Sequence, residues 1–412
     1  MSTTSRPPLL SLDEALQRLI DAVQPWPVDQ AQTVSTFDAL GRVLVEDVRS
    51  ALDVPPADNT SMDGYAMRLS DLPASGTVLP VSQRVPAGAV PSPLEPGTAA
   101  RIFTGGQIPP GADVVVMQEQ CTALAGAVRV DARPTLGQWI RRRGEDVASG
   151  AVVLPRGTRL TPQALGLAAS VGAATLKVAR KPRVALFSTG DELVMPGEPL
   201  RPGAIYNSNR YTLRGLLQAL GCDCIDLGIV PDRLDATRAA LRSAADGADL
   251  ILTSGGVSVG EEDHLKPALE AEGRLDMWQI SMKPGKPLAF GQVDKPGADP
   301  TWFIGLPGNP VSSFMTFLVA VRPVLMRMQG ALALTPKTST LRADFDWPKP
   351  DKRREFLRVR RNDDGGLELF ANQSSGVLTS AVWGDGVVDN PGGQPIAKGD
   401  LVRYTSFAEL LS

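Results

Sequence analysis

The chain has 412 residues and a formal net charge of −3, so as a whole it lacks the basic footprint of a nucleic-acid-binding protein. At roughly 150 residues per domain, this length predicts two to four domains. The longest apolar runs, such as residues 314–321, are shorter than the roughly 20 residues of a membrane span. The segment MSTTSRPPLL has no long apolar core of a secretion signal, and we therefore expect a cytoplasmic protein.

The sequence contains few histidine and cysteine residues that could bind a metal. His264 is the single histidine, so a His-rich metal site is excluded and any Ser/His/Asp or Cys/His triad would depend on that residue. Cys121, Cys222 and Cys224 form neither a disulfide framework nor paired CxxC motifs. Cys222 and Cys224 alternate on a predicted strand, which favours ordinary packing over a metal or redox role.

The first third of the chain alternates between helical and β-type patterns. Residues 12–23 carry apolar side chains at helical spacing, and Ser11 with Glu14 fits a capping box. Between residues 53 and 144, short β-type runs separated by Pro and Gly are typical of a small all-β unit. Thr161 as N-cap and Pro162 at the first helical position predict a returning helix. A β unit flanked by helical pieces indicates an inserted domain.

Residues 181–330 have the most regular pattern in the chain. Predicted strands at 184–187, 225–229, 250–253 and 302–305 alternate with predicted helices at 210–220, 234–245, 265–272 and 311–328. This alternation predicts parallel strands with helices on both faces, a fold that binds ligands at the carboxyl ends of its strands. The last 80 or so residues return to short strands and predict a separate β-domain.

Seven motifs occur in order along the chain and carry a family resemblance. They are NTSMDGYA (59–66), RIFTG (101–105), RRRGED (141–146), STGDEL (188–193), TSGGVSVGEED (253–263), KPGKP (283–287) and LPGNPVS (306–312). Together they resemble the motif set of the MoeA-type molybdopterin molybdenumtransferases, a family that includes the E domain of gephyrin. The resemblance extends in looser form over nearly the whole chain.

The resemblance implies a multidomain fold of α/β and β parts. An elongated domain would combine residues 1–52 and 147–180, with an inserted β-domain at 53–146. A parallel-sheet molybdopterin-binding α/β domain would cover 181–330, and a C-terminal β-domain 331–412. The chain departs from the family pattern at residues 373–376 (QSSG) and at the AVWGDGVVDNPGG that follows, which leaves detailed contacts of the last domain undefined.

Two of the motifs are suited to binding an anion. TSGGVSVG places three glycines among small residues directly after a strand, so backbone N–H groups can approach an anion, although a plain tight turn is an equal alternative. In LPGNPVS, Asn309 and Pro310 fit a helix start, and a helix start after a parallel strand is also an anion site. By resemblance, substrate contacts are assigned to these two motifs at Gly255, Gly256, Ser258, Pro307 and Pro310.

Basic residues supply a second set of binding candidates. Lys283 and Lys286 lie on a turn stiffened by two prolines; on their own they would be solvated surface lysines, but a pyrophosphate substrate would favour binding. The run 141–143 is either a solvated charge cluster or a source of guanidinium groups for an oxyanion. Of this run, Arg142 is predicted to bind substrate, and the resemblance adds Thr104 of the inserted domain.

The catalytic candidates are all acidic residues. Each alone is more easily explained as a solvated or capping carboxylate, so their chemistry depends on convergence. Mg²⁺ takes one or two carboxylates together with phosphate oxygens and water. The resemblance implies catalytic roles for Asp63, Asp146, Glu192, Asp232 and Asp263, of which Glu192, Asp232 and Asp263 would also hold Mg²⁺.

The expected function is a late step of molybdenum cofactor biosynthesis. The resemblance implies Mg²⁺-dependent insertion of molybdate into adenylyl-molybdopterin with release of AMP, by a homodimer that shares sites across its two-fold axis. A molybdopterin adenylyltransferase is a possible partner. The alternatives are the adenylyltransferase activity itself and a non-catalytic scaffold. Nothing in the sequence distinguishes molybdate from tungstate, and no nucleic-acid or membrane partner is expected.

Overall fold

The computed structural model describes residues 9–257 and 264–411. Two segments distant in sequence build the elongated unit: strand Gln32–Ser35 pairs with Thr175–Val178, and Val48–Arg49 pairs with Val152–Leu154. Residues from both segments, including Leu44 and Leu160, share one hydrophobic core. The family-based fold class, with an elongated domain made from two segments, is confirmed in this respect.

The inserted unit is a six-stranded, largely antiparallel sheet. Its strands, in sheet order, are Val114–Met117, Gly64–Met67, Ala99–Ile102, Thr77–Val85, Ala127–Val130 and Cys121–Leu124. Gly64, in the MDGYA motif, has no room for a side chain, since a Cβ there would lie 2.0 Å from the carbonyl oxygen of Val116. The motif glycine is therefore needed for close strand packing.

The α/β unit has a mixed six-stranded sheet rather than a wholly parallel one. Its strands, in sheet order, are Asp223–Val230, Arg183–Thr189, Leu250–Ser254, Ala298–Leu306, Pro287–Lys295 and Gly273–Gln279. The first four are parallel, as predicted. The last two are antiparallel additions that the sequence pattern did not predict, because they are joined by short turns instead of crossover helices.

The helices follow local sequence signals closely. Ser11 and Glu14 form the predicted capping box, and the Thr161 side chain accepts a hydrogen bond from the backbone N–H of Ala164. The helices are Leu12–Ala22, Pro162–Ser170, Ser208–Ala219, Leu234–Gly247, Leu265–Glu272, Pro310–Thr316, Arg322–Met328, Thr379–Trp383 and Phe407–Leu411, with a π-helical turn at Phe317–Val321.

The first helix packs on the α/β unit rather than on the elongated unit. Its residues Leu12, Ala15 and Leu19 are buried in the same core as the parallel strands and the segment Pro310–Met328. That 19-residue segment is long and apolar enough to cross a membrane by composition alone, with a mean hydropathy of 1.4. However, 83% of it is buried inside the protein, which is typical of a core helix.

The C-terminal unit is a small β-barrel. Its strands pair in the order Arg354–Arg361, Gly366–Leu369, Ser339–Ala343, Leu401–Ser406 and Gly386–Asn390, and the last pairs again with the first. Strand Met282–Lys283 of the KPGKP turn adds to this barrel beside Arg354 and Glu355. The α/β unit and the barrel therefore share backbone hydrogen bonds next to a predicted binding motif.

Candidate functional site

A cleft of about 1040 Å³ opens at the carboxyl ends of the parallel strands. The three strands that precede it are Arg183–Thr189, Leu250–Ser254 and Ala298–Leu306. Its lining includes the predicted site residues Glu192, Asp232, Gly255, Gly256, Lys283, Lys286 and Pro307. Residues from motifs about 115 positions apart therefore meet in one place, at the sheet edge where the fold class predicts a ligand.

Two positions of the TSGGVSVG loop, Gly255 and Gly256, strongly favour glycine. Gly255 and Gly256 have φ values of 90° and 66°, which other residues rarely adopt. A Cβ at Gly255 would lie 2.7 Å from the carbonyl oxygen of Thr189, and one at Gly256 would lie 2.7 Å from the Thr189 hydroxyl. The glycine loop therefore packs closely against Thr189, at the end of strand Arg183–Thr189. Ser258 and Asp263 lie outside the described residues.

Lys283 and Lys286 differ in their surroundings although they share one turn. The Lys283 ammonium lies 3.2 Å from Oε1 of Glu355 and 3.6 Å from Oδ2 of Asp351, both in the C-terminal barrel. Glu355 is only 1% exposed and also accepts hydrogen bonds from the Trp347 indole and the Asp351 backbone. Lys283 therefore joins two domains as well as lining the cleft. Lys286 lines the cleft but makes no ion pair with the barrel among the residues that the structure describes.

The LPGNPVS motif forms the helix start that the sequence predicts. Asn309 occupies the N-cap position and Pro310 the first helical position, although the Asn309 side chain makes no capping hydrogen bond. Pro307 and Asn309 line the cleft, whereas Pro310, between the lining residues Asn309 and Ser312, does not. The backbone N–H of Val311 donates to the carbonyl oxygen of Ser375 at 2.9 Å. The C-terminal barrel thus occupies one of the free donors at this helix start.

The barrel also forms one wall of the cleft, and sequence reasoning did not assign these residues. The wall consists of Arg353, Gln373, Ser374 and Ser375. The Arg353 guanidinium donates to both carboxylate oxygens of Asp351 at 2.8 and 2.9 Å, and these contacts lower the pKa of that carboxyl. The small polar run at 373–376 is the sequence signal for this wall, although in the motif comparison it counts only as a departure from the family pattern.

The two cleft carboxylates have the chemistry of a magnesium site. Glu192 is exposed and Asp232 half-buried, and both line the cleft. Among the described residues, no group of three or more Asp, Glu, His or Cys side chains converges as a metal cage. Two carboxylates beside a space for an anionic ligand suit Mg²⁺, which usually completes its shell with phosphate oxygens and water.

The predicted residues of the inserted unit do not reach this cleft within one chain. Asp63, Thr104, Arg142 and Asp146 are all absent from the cleft lining. Asp63 accepts hydrogen bonds from the backbone N–H and the hydroxyl of Thr104, both at 2.8 Å, and these bonds lower the pKa of its carboxyl. Asp63 and Thr104 therefore form a preorganised pair on the inserted unit.

The arginine run lies at the neck between the inserted and elongated units. The Arg142 guanidinium donates to Asp58 at 2.7 Å, and that of Arg143 donates to Asp53 at 2.6 Å. Asp146 is exposed, and its backbone N–H donates to the carbonyl oxygen of Val54. In a single chain, the RRRGED motif thus closes the base of the inserted unit.

The fold and the cleft define a multidomain α/β protein with a site suited to a large anionic ligand. Family profiles match most of the chain in three parts: "MoeA N-terminal region (domain I and II)" at residues 10–172, "Probable molybdopterin binding domain" at 185–327 and "MoeA C-terminal region (domain IV)" at 340–407. These boundaries follow the elongated and inserted units, the α/β unit and the barrel.

Curated relatives and solved structures agree with this assignment. A molybdopterin molybdenumtransferase of Haemophilus influenzae is 44% identical over 78% of each chain, and one of Synechococcus elongatus is 35% identical over 97% of this chain and all of its own. A crystal structure of the molybdopterin biosynthesis moeA protein from Pyrococcus horikoshii matches with a TM-score of 0.82 at 29% identity, covering 97% of this chain and all of that one. The chain belongs to the MoeA family of molybdopterin molybdenumtransferases.

Proposed function

We propose that this chain inserts molybdate into adenylyl-molybdopterin in an Mg²⁺-dependent reaction that releases AMP, the step that completes the molybdenum cofactor. The observation that carries the proposal is the cleft itself, which places a glycine loop, two lysines and two carboxylates at one sheet edge. The family name of the relatives supports the same reaction class.

In this proposal, some cleft residues bind the phosphate groups of the substrate and others hold the metal ion that neutralises their charge. The backbone N–H of Gly256 and the Lys286 ammonium are suited to the phosphate groups of the substrate. The N–H of Gly255 instead donates to the carbonyl oxygen of Leu306. Glu192 and Asp232 would hold Mg²⁺, which neutralises charge on a leaving phosphate when bound. The barrel wall at 373–375 completes the lining of the same cleft.

We further propose that the working unit is a homodimer in which each site combines two chains. The support is twofold. Asp63, Thr104 and Asp146 do not line the cleft of their own chain. Large apolar side chains are exposed on the elongated unit and nearby, with Phe37 at 92% and Leu332 at 72%. An isologous dimer that buries such a surface would form two equivalent composite sites.

Localisation in the cytoplasm is part of the same proposal. Its support is the state of the cysteines, since Cys121, Cys222 and Cys224 are all free. Burial raises the pKa of the Cys222 thiol to about 12 and that of Cys121 to about 11. Free thiols of this kind are usual in a reducing compartment.

The reaction is tested with purified protein, adenylyl-molybdopterin, molybdate and Mg²⁺. We expect AMP to be released and the product to activate a cofactor-free molybdoenzyme. Omitting molybdate or chelating Mg²⁺ should abolish that activation. AMP release without active cofactor, or no dependence on molybdate, would contradict the proposal.

A further inference from the structure

Arg101, in the RIFTG motif, is a half-buried cation on an inner strand of the inserted sheet. Its strand pairs Arg101 with Tyr65 on one neighbouring strand and with Arg84 on the other. The guanidinium carbon of Arg101 lies 4.5 Å from the centre of the Phe103 ring and 5.1 Å from that of the Tyr65 ring. Arg101 forms no ion pair with any residue that the structure describes. Its surroundings are therefore aromatic rings and neutral acceptors.

The hydrogen bonds of the Arg101 guanidinium surround the backbone of Asp63. Nη1 donates to the carbonyl oxygen of Gly64, the residue after Asp63, at 2.8 Å. Nη2 donates to Oε1 of Gln118 at 2.6 Å. The backbone N–H of Gln118 in turn donates to the carbonyl oxygen of Asp63 at 3.0 Å. One rigid guanidinium group therefore holds both the residue that follows Asp63 and the residue that binds the Asp63 carbonyl.

The Asp63 carboxylate uses one of its two oxygens inside the described part of the chain. Both hydrogen bonds from Thr104, from its backbone N–H and its hydroxyl, end on Oδ1. Oδ2 has no partner among the described residues. The Thr104 backbone N–H lowers the pKa of this carboxyl most, followed by the Thr104 hydroxyl, and the charge of Arg101 acts in the same direction. Oδ2 is therefore an unused, charged acceptor on a carboxylate with a fixed orientation.

Arg84 shows that stacking on Phe103 does not require the hydrogen bonds that Arg101 makes. The guanidinium carbon of Arg84 lies 4.4 Å from the centre of the same ring. However, Arg84 is exposed and has no hydrogen bond to any residue that the structure describes. The bonds to Gly64 and Gln118 therefore distinguish a cation that only stacks from one that also holds the backbone beside Asp63.

We propose that Arg101 is a positioning residue for the Asp63–Thr104 pair, which fixes the backbone around Asp63 so that Oδ2 keeps one orientation toward the substrate in the cleft of the partner chain. A misplacement of about 1 Å at a reacting group can reduce a rate about a hundredfold, because the reaction needs near-ideal distances and angles. The inference rests on the proposed function, and on its composite dimer site, for the substrate that Oδ2 meets.

Four variants separate positioning from stacking and from plain stability. Arg101→Met removes the donors but keeps an apolar stem over Phe103, and Arg101→Lys keeps the charge with fewer donors. Arg84→Met is the matched control, because it removes only a stacked cation. Gln118→Ala changes an exposed residue and removes one of the two anchors of Arg101, so it tests the same contact with little risk to the fold.

Hydrogen exchange at the Thr104 amide measures the pair directly and needs no turnover. The reference is the amide of Val128, which is buried on strand Ala127–Val130 of the same sheet. Because the Thr104 N–H is bonded only through Asp63, we expect Arg101→Met to accelerate its exchange about tenfold and Gln118→Ala about threefold. Exchange at Val128 should stay within about twofold in every variant, and Arg84→Met should leave Thr104 unchanged as well.

Kinetics of molybdenum insertion then test whether Arg101 acts through Asp63. We expect Arg101→Met to lower kcat about tenfold with KM within about twofold, and Arg101→Lys to recover part of the loss. Introduced into Asp63→Asn, the same Arg101→Met change should lower the residual kcat by less than about twofold, since the group that it positions is already altered.

Unchanged Thr104 exchange in Arg101→Met would overturn the inference, as would equal acceleration at Val128 or in Arg84→Met. A full loss of kcat from Arg101→Met in the Asp63→Asn background would overturn it too, because Arg101 would then act independently of Asp63. Failure of the proposed function gives a different result: the wild type would release no AMP and make no cofactor. The Thr104 exchange comparison would still decide whether Arg101 positions the pair.

Discussion

The cleft and the inserted β unit both contain motifs of one family, but their motif residues are arranged differently in the structure. In the cleft, residues from the α/β unit and from the C-terminal barrel meet around one space, linked by contacts such as that of Lys283 with Glu355. In the inserted unit, Asp63 and Thr104 bind each other and lie apart from that space. Motif residues can therefore be preorganised by local hydrogen bonds without forming a complete site within one chain.

The largest expected effect comes from the cleft carboxylates. Glu192→Gln keeps the shape of the side chain but removes the charge, so we expect the rate of molybdenum insertion to fall at least about tenfold, or ~1.4 kcal/mol in the barrier. Asp232→Asn should behave similarly. Glu198→Gln is the control, because Glu198 is exposed and outside the cleft lining. Near-normal insertion by the Glu192 variant would remove it from catalysis.

Mixing variants tests whether the inserted unit completes the cleft of a partner chain. Asp63→Ala and Glu192→Gln should each be nearly inactive alone. After free subunit exchange, half of the dimers combine the two variants and carry one intact site of two, so activity should return to about a quarter of the wild-type value. Native mass spectrometry reports the exchange. If heterodimers form and activity does not rise, each chain must build its own site.

A pair of lysine variants distinguishes binding from domain linkage within the cleft. Lys286→Ala should weaken adenylyl-molybdopterin binding about fivefold with little change in stability, because the half-buried Lys286 has no ion pair to lose among the residues that the structure describes. Lys283→Ala leaves the buried Glu355 without its ion pair, and we expect the free energy of unfolding to fall by about 1–2 kcal/mol. Calorimetric binding and denaturant unfolding check both. Equal stability losses would contradict the distinction.

The smallest expected effect concerns the neck of the inserted unit in acid. Hydrogen bonds from the Ser149 backbone N–H and the Arg143 guanidinium lower the pKa of Asp53 below its ordinary value of 3.8. The stabilisation of the folded neck by the ionised Asp53 carboxylate is therefore complete above pH 3.8. It is lost as the pH falls through the lower pKa that Asp53 has in the folded protein. Hydrogen exchange at Ser149, corrected for its intrinsic pH dependence, should accelerate there. Asp53→Asn should remove this pH dependence, whereas unchanged protection in the wild type would argue against it.

Local features of the fold were predictable because each depends on a few adjacent residues. The capping box of Ser11 and Glu14, the Thr161 cap and helix Leu265–Glu272 all match their sequence signals. The antiparallel strands Gly273–Gln279 and Pro287–Lys295 were not predicted, since the KPGKP turn is the one feature that the sequence analysis assigned between residues 273 and 301. Short strands joined by turns carry weak local patterns that depend on the neighbouring strand.

The sequence by itself determined the family, the four-part fold class and the glycines of the loop. Motif order and hydrophobic periodicity can be identified in short stretches of sequence, and a turn that requires positive φ angles selects glycine locally. Tertiary structure alone decided which motifs share a cleft. Lys283 meets Glu355 across 72 positions, and Arg358 anchors the wall at Ser374. Those contacts depend on how the barrel packs on the α/β sheet. The free energy of that packing is the sum of many weak van der Waals contacts between distant residues, so it cannot be identified from any short stretch of sequence.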